Sequence, residues 1–241
     1  MAIFTIGDLH LSLGTSKPMD IFSGWENYVE RLRENWLAAV GPQDTVVLAG
    51  DTSWAMKLED CSADFAFLQN LPGRKLLLKG NHDYWWTTAN KMNAYLKAEG
   101  FDTLHILHNN SYSVEGFGSL SFLHNNCVFA EGLALCGTRS WLFDAGQPHD
   151  EKVMSRECGR LRASLEAAGD TEKAVFLHYP PVYPQADAGE VVALLREYGV
   201  KRCFYGHLHG PSIPRAVQGE LDGIEYKLIS ADALRFFPYK I

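Results

Sequence analysis

An α/β fold with two sheets flanked by helices is predicted by three observations. Short runs that are apolar on both faces alternate with helical periodicity through the first third of the 241-residue chain. Beyond about residue 100 the texture changes to short β-like pieces broken by Asn and Gly turns. Several predicted strands end in Asp, Asn or His. Strands apolar on both faces and joined by helices pair in parallel through right-handed crossovers. The first three then finish on one sheet edge, the carboxyl edge where open α/β sheets bind ligands.

The elements follow in order. Ala2 to Gly7 is a short apolar strand ending at Asp8. Trp25, Val29, Leu32, Trp36, Leu37 and Val40 recur at helical spacing, and Gly41-Pro42 stops that helix. Thr45 to Ala49 is a buried strand running into Gly50-Asp51, and a second helix from Glu59 to Asn70 stops at Leu71-Pro72-Gly73. Lys75 to Leu78 lead into Gly80-Asn81-His82, and a third helix spans Thr88 to Glu99. From Leu104 to Gly137, pieces broken at Asn109-Asn110, Gly116-Phe117-Gly118 and Asn125-Asn126 read as hairpins of a second sheet. A helix from Glu151 to Ala168 precedes the strand Ala174–Leu177, which delivers His178. Val191 to Tyr198 is helical, and Arg202 to Tyr205 is a strand delivering Gly206-His207. Val217 to Ile229 reads as an antiparallel hairpin turned at Asp222-Gly223. With no repeat or polar linker, residues 1–241 are expected to form a single domain.

Composition narrows the function. Hydrophobic residues make up 46% and charged residues 21%, which argues against disorder. A net charge of -7 leaves no basic footprint for long nucleic acid, yet is compatible with a phosphate substrate, because bound cations dominate the field of a metal site. No apolar run reaches the ~18 residues of a membrane span, and Met1-Ala2-Ile3-Phe4 enters a strand without a basic leader. The five cysteines are scattered and form no C-x-x-C pair, as expected of reduced thiols in the cytoplasm. Oligomeric state is not legible.

Four motifs carry the chemistry: Asp8-x-His10, Gly50-Asp51, Gly80-Asn81-His82-Asp83 and Gly206-His207-x-His209, with His178 between the last two. Two cations about 3.5–4 Å apart need a bridging carboxylate and several further O or N donors. Asp8 and His10, at i and i+2, point to one side on extended backbone and can clasp one ion. His207 and His209 can serve one ion each if the backbone curls. Asp51, after a glycine at a strand end, is the natural bridge, and Asn81 offers an amide oxygen. Carboxylate, imidazole and amide donors without thiolate suit two divalent or mixed-valence ions of Mn, Fe or Zn. His82 is placed to protonate a leaving alkoxide or to stabilise the developing charge, with Asp83 beside it to orient it or raise its pKa.

This ordered set resembles the calcineurin-like metallophosphoesterase superfamily, from near the start of the chain to roughly residue 210. The resemblance implies a four-layer α/β/β/α sandwich. One metal would take Asp8, His10, Asp51 and His209, and the other Asp51, Asn81, His178 and His207. It implies hydrolysis of phosphate mono- or diesters, on small-molecule or nucleotide substrates, by in-line attack of a metal-bound hydroxide with help from His82. The protein serine/threonine phosphatases of the superfamily carry an Asp-Arg-Gly after the Gly-Asp motif. Here Thr52-Ser53-Trp54-Ala55-Met56 follows, with no arginine, so the smaller, mostly microbial branch is implied and protein phosphatase activity is not.

Blander uses compete. Asp8, Asp51, Asn81 and Asp83 taken singly are ordinary turn or cap residues; their order and company favour ligation. His105, His108, His124 and His149 match no motif and read as surface or satisfied polar groups. Trp54, Tyr84 and Arg139 are the candidate substrate contacts. For the aromatics after the motifs, Trp85 and Trp86 included, core packing is the bland use and stacking on a base the sharper one. For Arg139 the bland use is a surface salt bridge, and a phosphate contact the sharper one. A catalytically silent metal-binding scaffold and a nuclease of the same superfamily are the alternative functions.

Overall fold

The computed structural model describes residues 1–100, 120–123, 125–142, 151–184 and 186–241. Two mixed sheets lie face to face between helices. In the first, β1 (Ile3–Ile6), β2 (Thr45–Ala49), β3 (Arg74–Leu78) and β4 (Leu120–Phe122) run parallel, and β13 (Tyr239–Lys240) pairs antiparallel with β1. In the second, β6 (Leu133–Thr138), β7 (Lys173–Leu177), β10 (Arg202–Tyr205) and β12 (Ile224–Leu228) are parallel, with β5 (Cys127–Ala130) and β11 (Gly219–Leu221) antiparallel at the edges. A separate ribbon pairs β8 (Val182–Tyr183) with β9 (Ala186–Asp187).

The pleat sorts side chains into three apolar layers, because successive residues face opposite sides. Val47, Ala49, Leu76 and Leu78 meet Leu135, Ala174, Phe176 and Phe204 between the sheets. The opposite face of the first sheet, with Phe4, Ile6, Val46 and Leu48, is covered by α1 (Tyr28–Ala39), α2 (Ser62–Gln69) and α3 (Ala89–Ala98) through Leu32, Trp36, Phe65, Leu68, Met92 and Leu96. The second sheet's outer face packs on α4 (Glu151–Glu166) and α5 (Gly189–Glu197) through Leu161, Leu165, Val191 and Leu195. The layering is the α/β/β/α sandwich that the resemblance implied.

Several elements differ from expectation. Trp25 lies ahead of α1, whose N-cap Asn27 is left-handed at φ 52°, and the buried stripe is Tyr28, Leu32 and Trp36. Leu37 faces solvent at 55% exposure, so it marks no core face. The second helix opens as a short 3-10 segment, Leu58–Cys61. Among the described part of the predicted second-sheet hairpins, β5 and β6 do form one, whereas β4 joins the first sheet beside β3. The Asn109-Asn110 and Gly116-Phe117-Gly118 breaks, with His105, His108, His124 and His149, lie outside the described residues. The β11–β12 hairpin turns at Asp222 and Gly223, both with positive φ (52° and 79°), the geometry that a two-residue hairpin turn requires.

Candidate metal centre

Five strand ends deliver the site. β1 runs into Asp8, β2 into Asp51, β3 into Asn81, β7 into His178 and β10 into His207. The backbone does not stay extended there: Asp8, His10, Asp51 and His207 all have positive φ, at 58°, 47°, 48° and 72°. Left-handed non-glycine residues cost free energy and cluster where side chains are aimed for function. Asp8 and His10 therefore converge through a turn, which corrects the extended reading. That segment is laced to the Asp51 loop by Asp8 N to Gly50 O (2.9 Å), His10 N to Asp51 O (2.9 Å) and Leu11 N to Thr52 O (3.0 Å). At His207 the backbone does curl, Leu208 N donating to Gly206 O at 2.9 Å.

Two motif glycines are required by close approach. A Cβ on Gly80 would overlap Asp51 Oδ1, and one on Gly206 would overlap Asp8 Oδ2. The carboxylates are seated against bare backbone, and His207 N donates to both Asp8 oxygens (3.1 and 3.0 Å) while His82 N donates to Asp51 Oδ1 (2.7 Å).

The donors fall into two groups that share Asp8. Ligand atoms of Asp8, His10 and His209 lie within 4.8 Å of one another, as do those of Asp8, Asp51 and His178. Asn81 Oδ1 sits between two imidazoles, 2.5 Å from His178 Nε2 and 2.9 Å from His207 Nδ1. His178 Nδ1 donates to Ala49 O at 3.1 Å, which turns the Nε2 lone pair toward Asn81 and toward Asp51 Oδ2, 3.6 Å away. His10 Nε2 and His209 Nε2 face each other at 3.3 Å, with Asp8 Oδ1 3.4 Å from His209 Nε2. Metal–nitrogen bonds of about 2.0–2.1 Å place neighbouring ligand nitrogens roughly 3–3.4 Å apart. The spacing thus fits a coordination shell, and the donor set fits hard or borderline cations. Among the described residues, Asp8 and Asp51 form ion pairs with imidazoles and none with Lys or Arg.

Electrostatics agree. Burial drives His10 and His207 down to about 3, so both are neutral and free to ligate near pH 7. Burial pushes Asp8 up, but His209, His178 and His10 outweigh it and hold the carboxyl well below its usual range. Asp51 goes the other way, to about 8, through burial and the neighbouring Asp8 charge. Burial depresses His209 too, yet Asp8 and Asp232 overcome it and carry its proton up to about 10. Two buried carboxylates side by side without cations leave one protonated.

His82 lies beside the centre, its ring 4.5 Å from that of Trp54 and 5.8 Å from that of His10. Burial and the neighbouring His178 lower its pKa, so the expected upward push from Asp83 does not prevail. Its Nδ1 is buried with no hydrogen-bond partner among the described residues. Asp83 does not orient this ring. Its oxygens accept from Thr52 N (2.9 Å), Ser53 N (3.3 Å), Gly80 N (2.7 Å) and Trp85 Nε1 (2.9 Å), so it braces the Asp51 and Asn81 loops against each other.

Trp85 and Trp86 are core residues beneath the site. Trp54 stacks on His10 at 4.8 Å and lines the cavity, while Tyr84, 56% exposed, stands edge-on to His82. Arg139 does not line the cavity: its guanidinium pairs with Glu157 Oε1 at 3.4 Å and lies 5.2 Å from the Trp141 ring. Glu157 is buried, so this is not the surface salt bridge of the bland reading. Two residues escaped sequence reasoning. Asp232 accepts from His209 Nδ1 at 3.0 Å and from Gly210 N at 2.9 Å, so it leaves Nε2 of His209 facing Asp8 and His10 as the nitrogen that could ligate. Trp25 meets the His209 ring edge-on at 5.8 Å. Neither carries a local signal, because each is joined to the site only through the fold.

A two-sheet α/β sandwich with carboxylate and imidazole donors gathered at its strand ends is the frame of a metal-dependent phosphoesterase. The chain belongs to the calcineurin-like phosphoesterase family, whose model matches residues 1–211. The phosphopantetheinyl hydrolase PptH from Mycobacterium tuberculosis is similar in fold, with a TM-score of 0.58 at 14% identity over 100% of this chain and 95% of that one. TT1561 of Thermus thermophilus has a TM-score of 0.57 at 14% identity, covering 96% of this chain and 89% of that one. No curated protein matches the chain. Among the described residues no helix is long and apolar enough to cross a membrane.

Proposed function

We propose that the protein is a dinuclear-metal phosphoesterase that hydrolyses small phosphate mono- or diesters, nucleotides among them. The observation that carries this reading is that Asp51 Oδ2 stands between imidazoles of both halves of the donor set, 3.9 Å from His10 Nε2 and 3.6 Å from His178 Nε2, at the floor of a 570 Å³ cavity that His82 also lines. Asp8, His10, Asp51 and His209 would hold one ion, and Asp51, Asn81, His178 and His207 the other. Mn, Fe and Zn all suit the donors. Bound there, the pair supplies charge for the phosphoryl oxygens and acidifies a water. The chain's own part is to hold the ester in line and to deliver a proton from His82 to the departing oxygen. The cysteines, all free and four of them buried, support a reducing, cytoplasmic setting.

The test is hydrolysis of bis-p-nitrophenyl phosphate against p-nitrophenyl phosphate by metal-free and Mn-, Fe- or Zn-loaded protein. Turnover restored by loading is the expected result. Loaded protein that is inert toward both, and toward a nucleotide panel, would leave the silent metal-binding scaffold as the reading.

A further inference from the structure

The cavity has two unlike walls. One is made by His10, Asp51, His207 and His209 with His82. The other is apolar, built from Met19, Phe22, Trp25, Trp54 and Pro211, and among the described residues no Lys or Arg lines it. Phe22, which lines the cavity, is 53% exposed, so apolar surface stands open at the mouth of a site whose other wall is charged and polar. Open apolar area at a cavity mouth marks a binding surface.

This wall is preformed. Phe22 N donates to Met19 O and Trp25 N to Phe22 O, both at 3.0 Å, folding the segment into successive turns. Arg31 Nη1 ties it down through Gly24 O at 2.9 Å, and Trp54 Nε1 points at Met19 Sδ, 3.1 Å away. Lys17 is drawn to the Trp54 carbonyl (3.3 Å) and Met56 Sδ (3.2 Å).

The indoles are already engaged. His10 stacks on Trp54, and Lys17 Nζ lies 5.3 Å from its ring centroid. Trp25 takes the edge-on contacts of Tyr28, Phe236 and His209. A flat base needs an open aromatic face, whereas a flexible chain can run along Met19 and Phe22, which adapt to it.

We propose that this wall is a subsite for an uncharged aliphatic chain, so that the favoured substrates are phosphate diesters carrying an alkyl chain on the phosphate that is cut. The proposal rests on the phosphoesterase reading above. The overall reaction is ordinary hydrolysis: water supplies the oxygen that joins phosphorus, the ester P–O bond to the leaving group breaks, and the leaving oxygen takes a proton.

The test uses methyl, butyl and octyl p-nitrophenyl phosphates below micellar concentration, with thymidine 5′-p-nitrophenyl phosphate as the nucleotide comparator. For Mn-loaded protein kcat/KM should rise at least tenfold from methyl to octyl, which about two buried methylenes can supply. That octyl-to-methyl ratio should collapse toward one in Phe22→Ala and Met19→Ala, but not in Leu37→Ala, which removes an exposed side chain of α1. A flat chain-length series, or a preference for the thymidine ester, overturns the subsite and leaves the phosphoesterase reading standing. Should no ester be cleaved, that reading falls, and calorimetry with methyl- and octylphosphonate decides the subsite. Tenfold tighter octyl binding that Phe22→Ala abolishes supports it; equal binding of the two phosphonates overturns it.

Discussion

At the scale of single residues, the centre is a set of buried ionisable groups whose charges are balanced by protons when no cation is bound. Asp51, raised to about 8, and His209, raised to about 10, both carry a proton near pH 7 in the metal-free protein. Metal binding must displace those protons, so affinity should strengthen as pH rises through about 8, with net proton release near pH 7. Calorimetry of Mn binding in buffers of different ionisation heat checks this, and buffer-independent heats would show both groups already deprotonated. Asp51→Asn should lose at least one ion per chain by elemental analysis. His82→Ala should keep its metal and lose about 10²- to 10⁴-fold in turnover; equal metal loss in both variants would place His82 among the ligands. Asp232→Asn should weaken metal affinity roughly 10–100-fold, read by chelator competition, because Asn can no longer hold the His209 proton as an anion does.

Among the elements, the connections matter as much as the strands. Asp83 gathers three backbone N–H groups and the Trp85 indole from two loops, so Asp83→Ala leaves four buried donors unmet. We expect a loss of roughly 3–5 kcal/mol in the denaturation of the metal-free protein, and partial metal loss as the two loops part. Most strands were legible in the sequence because continuous apolar runs bounded by Gly, Asp or Pro have few other uses. Helix starts were less so. Trp25 keeps helical phase with Leu32 and Trp36, yet it caps the cavity from a loop, because an indole is equally at home against α1 and against His209. The sheet that β4 joins was not legible at all, since a three-residue strand carries no information about its partner.

Across the whole molecule, the C-terminal segment ties the two sheets together. Gly7 N donates to Ile229 O at 2.7 Å and Ala231 N to Gly7 O at 2.9 Å, where the chain leaves β12 for β1. Beyond that crossing come Asp232, then Phe236 packed 5.0 Å from Trp25, then β13 on the edge of the first sheet. The family match ends at residue 211, so this closure lies outside it. Deleting residues 231–241 should lower Tm by about 10 °C or more, since losing a buried Phe alone costs roughly 3–5 kcal/mol and each kcal/mol moves Tm by about 2–4 °C at this size. It should also weaken metal binding more than Asp232→Asn does, which thermal melts with and without Mn would reveal.

The amino-acid order by itself determined the class of fold and the kinds of donor, because apolar periodicity and oxygen or imidazole side chains after strand ends are local properties. It did not determine that four donors stand on left-handed backbone, that Asp83 braces loops instead of orienting His82, that Arg139 turns to Glu157, or that Asp232 seats His209. Those outcomes depend on partners separated by up to two hundred residues, and only the packed sandwich brings them within a hydrogen bond of one another.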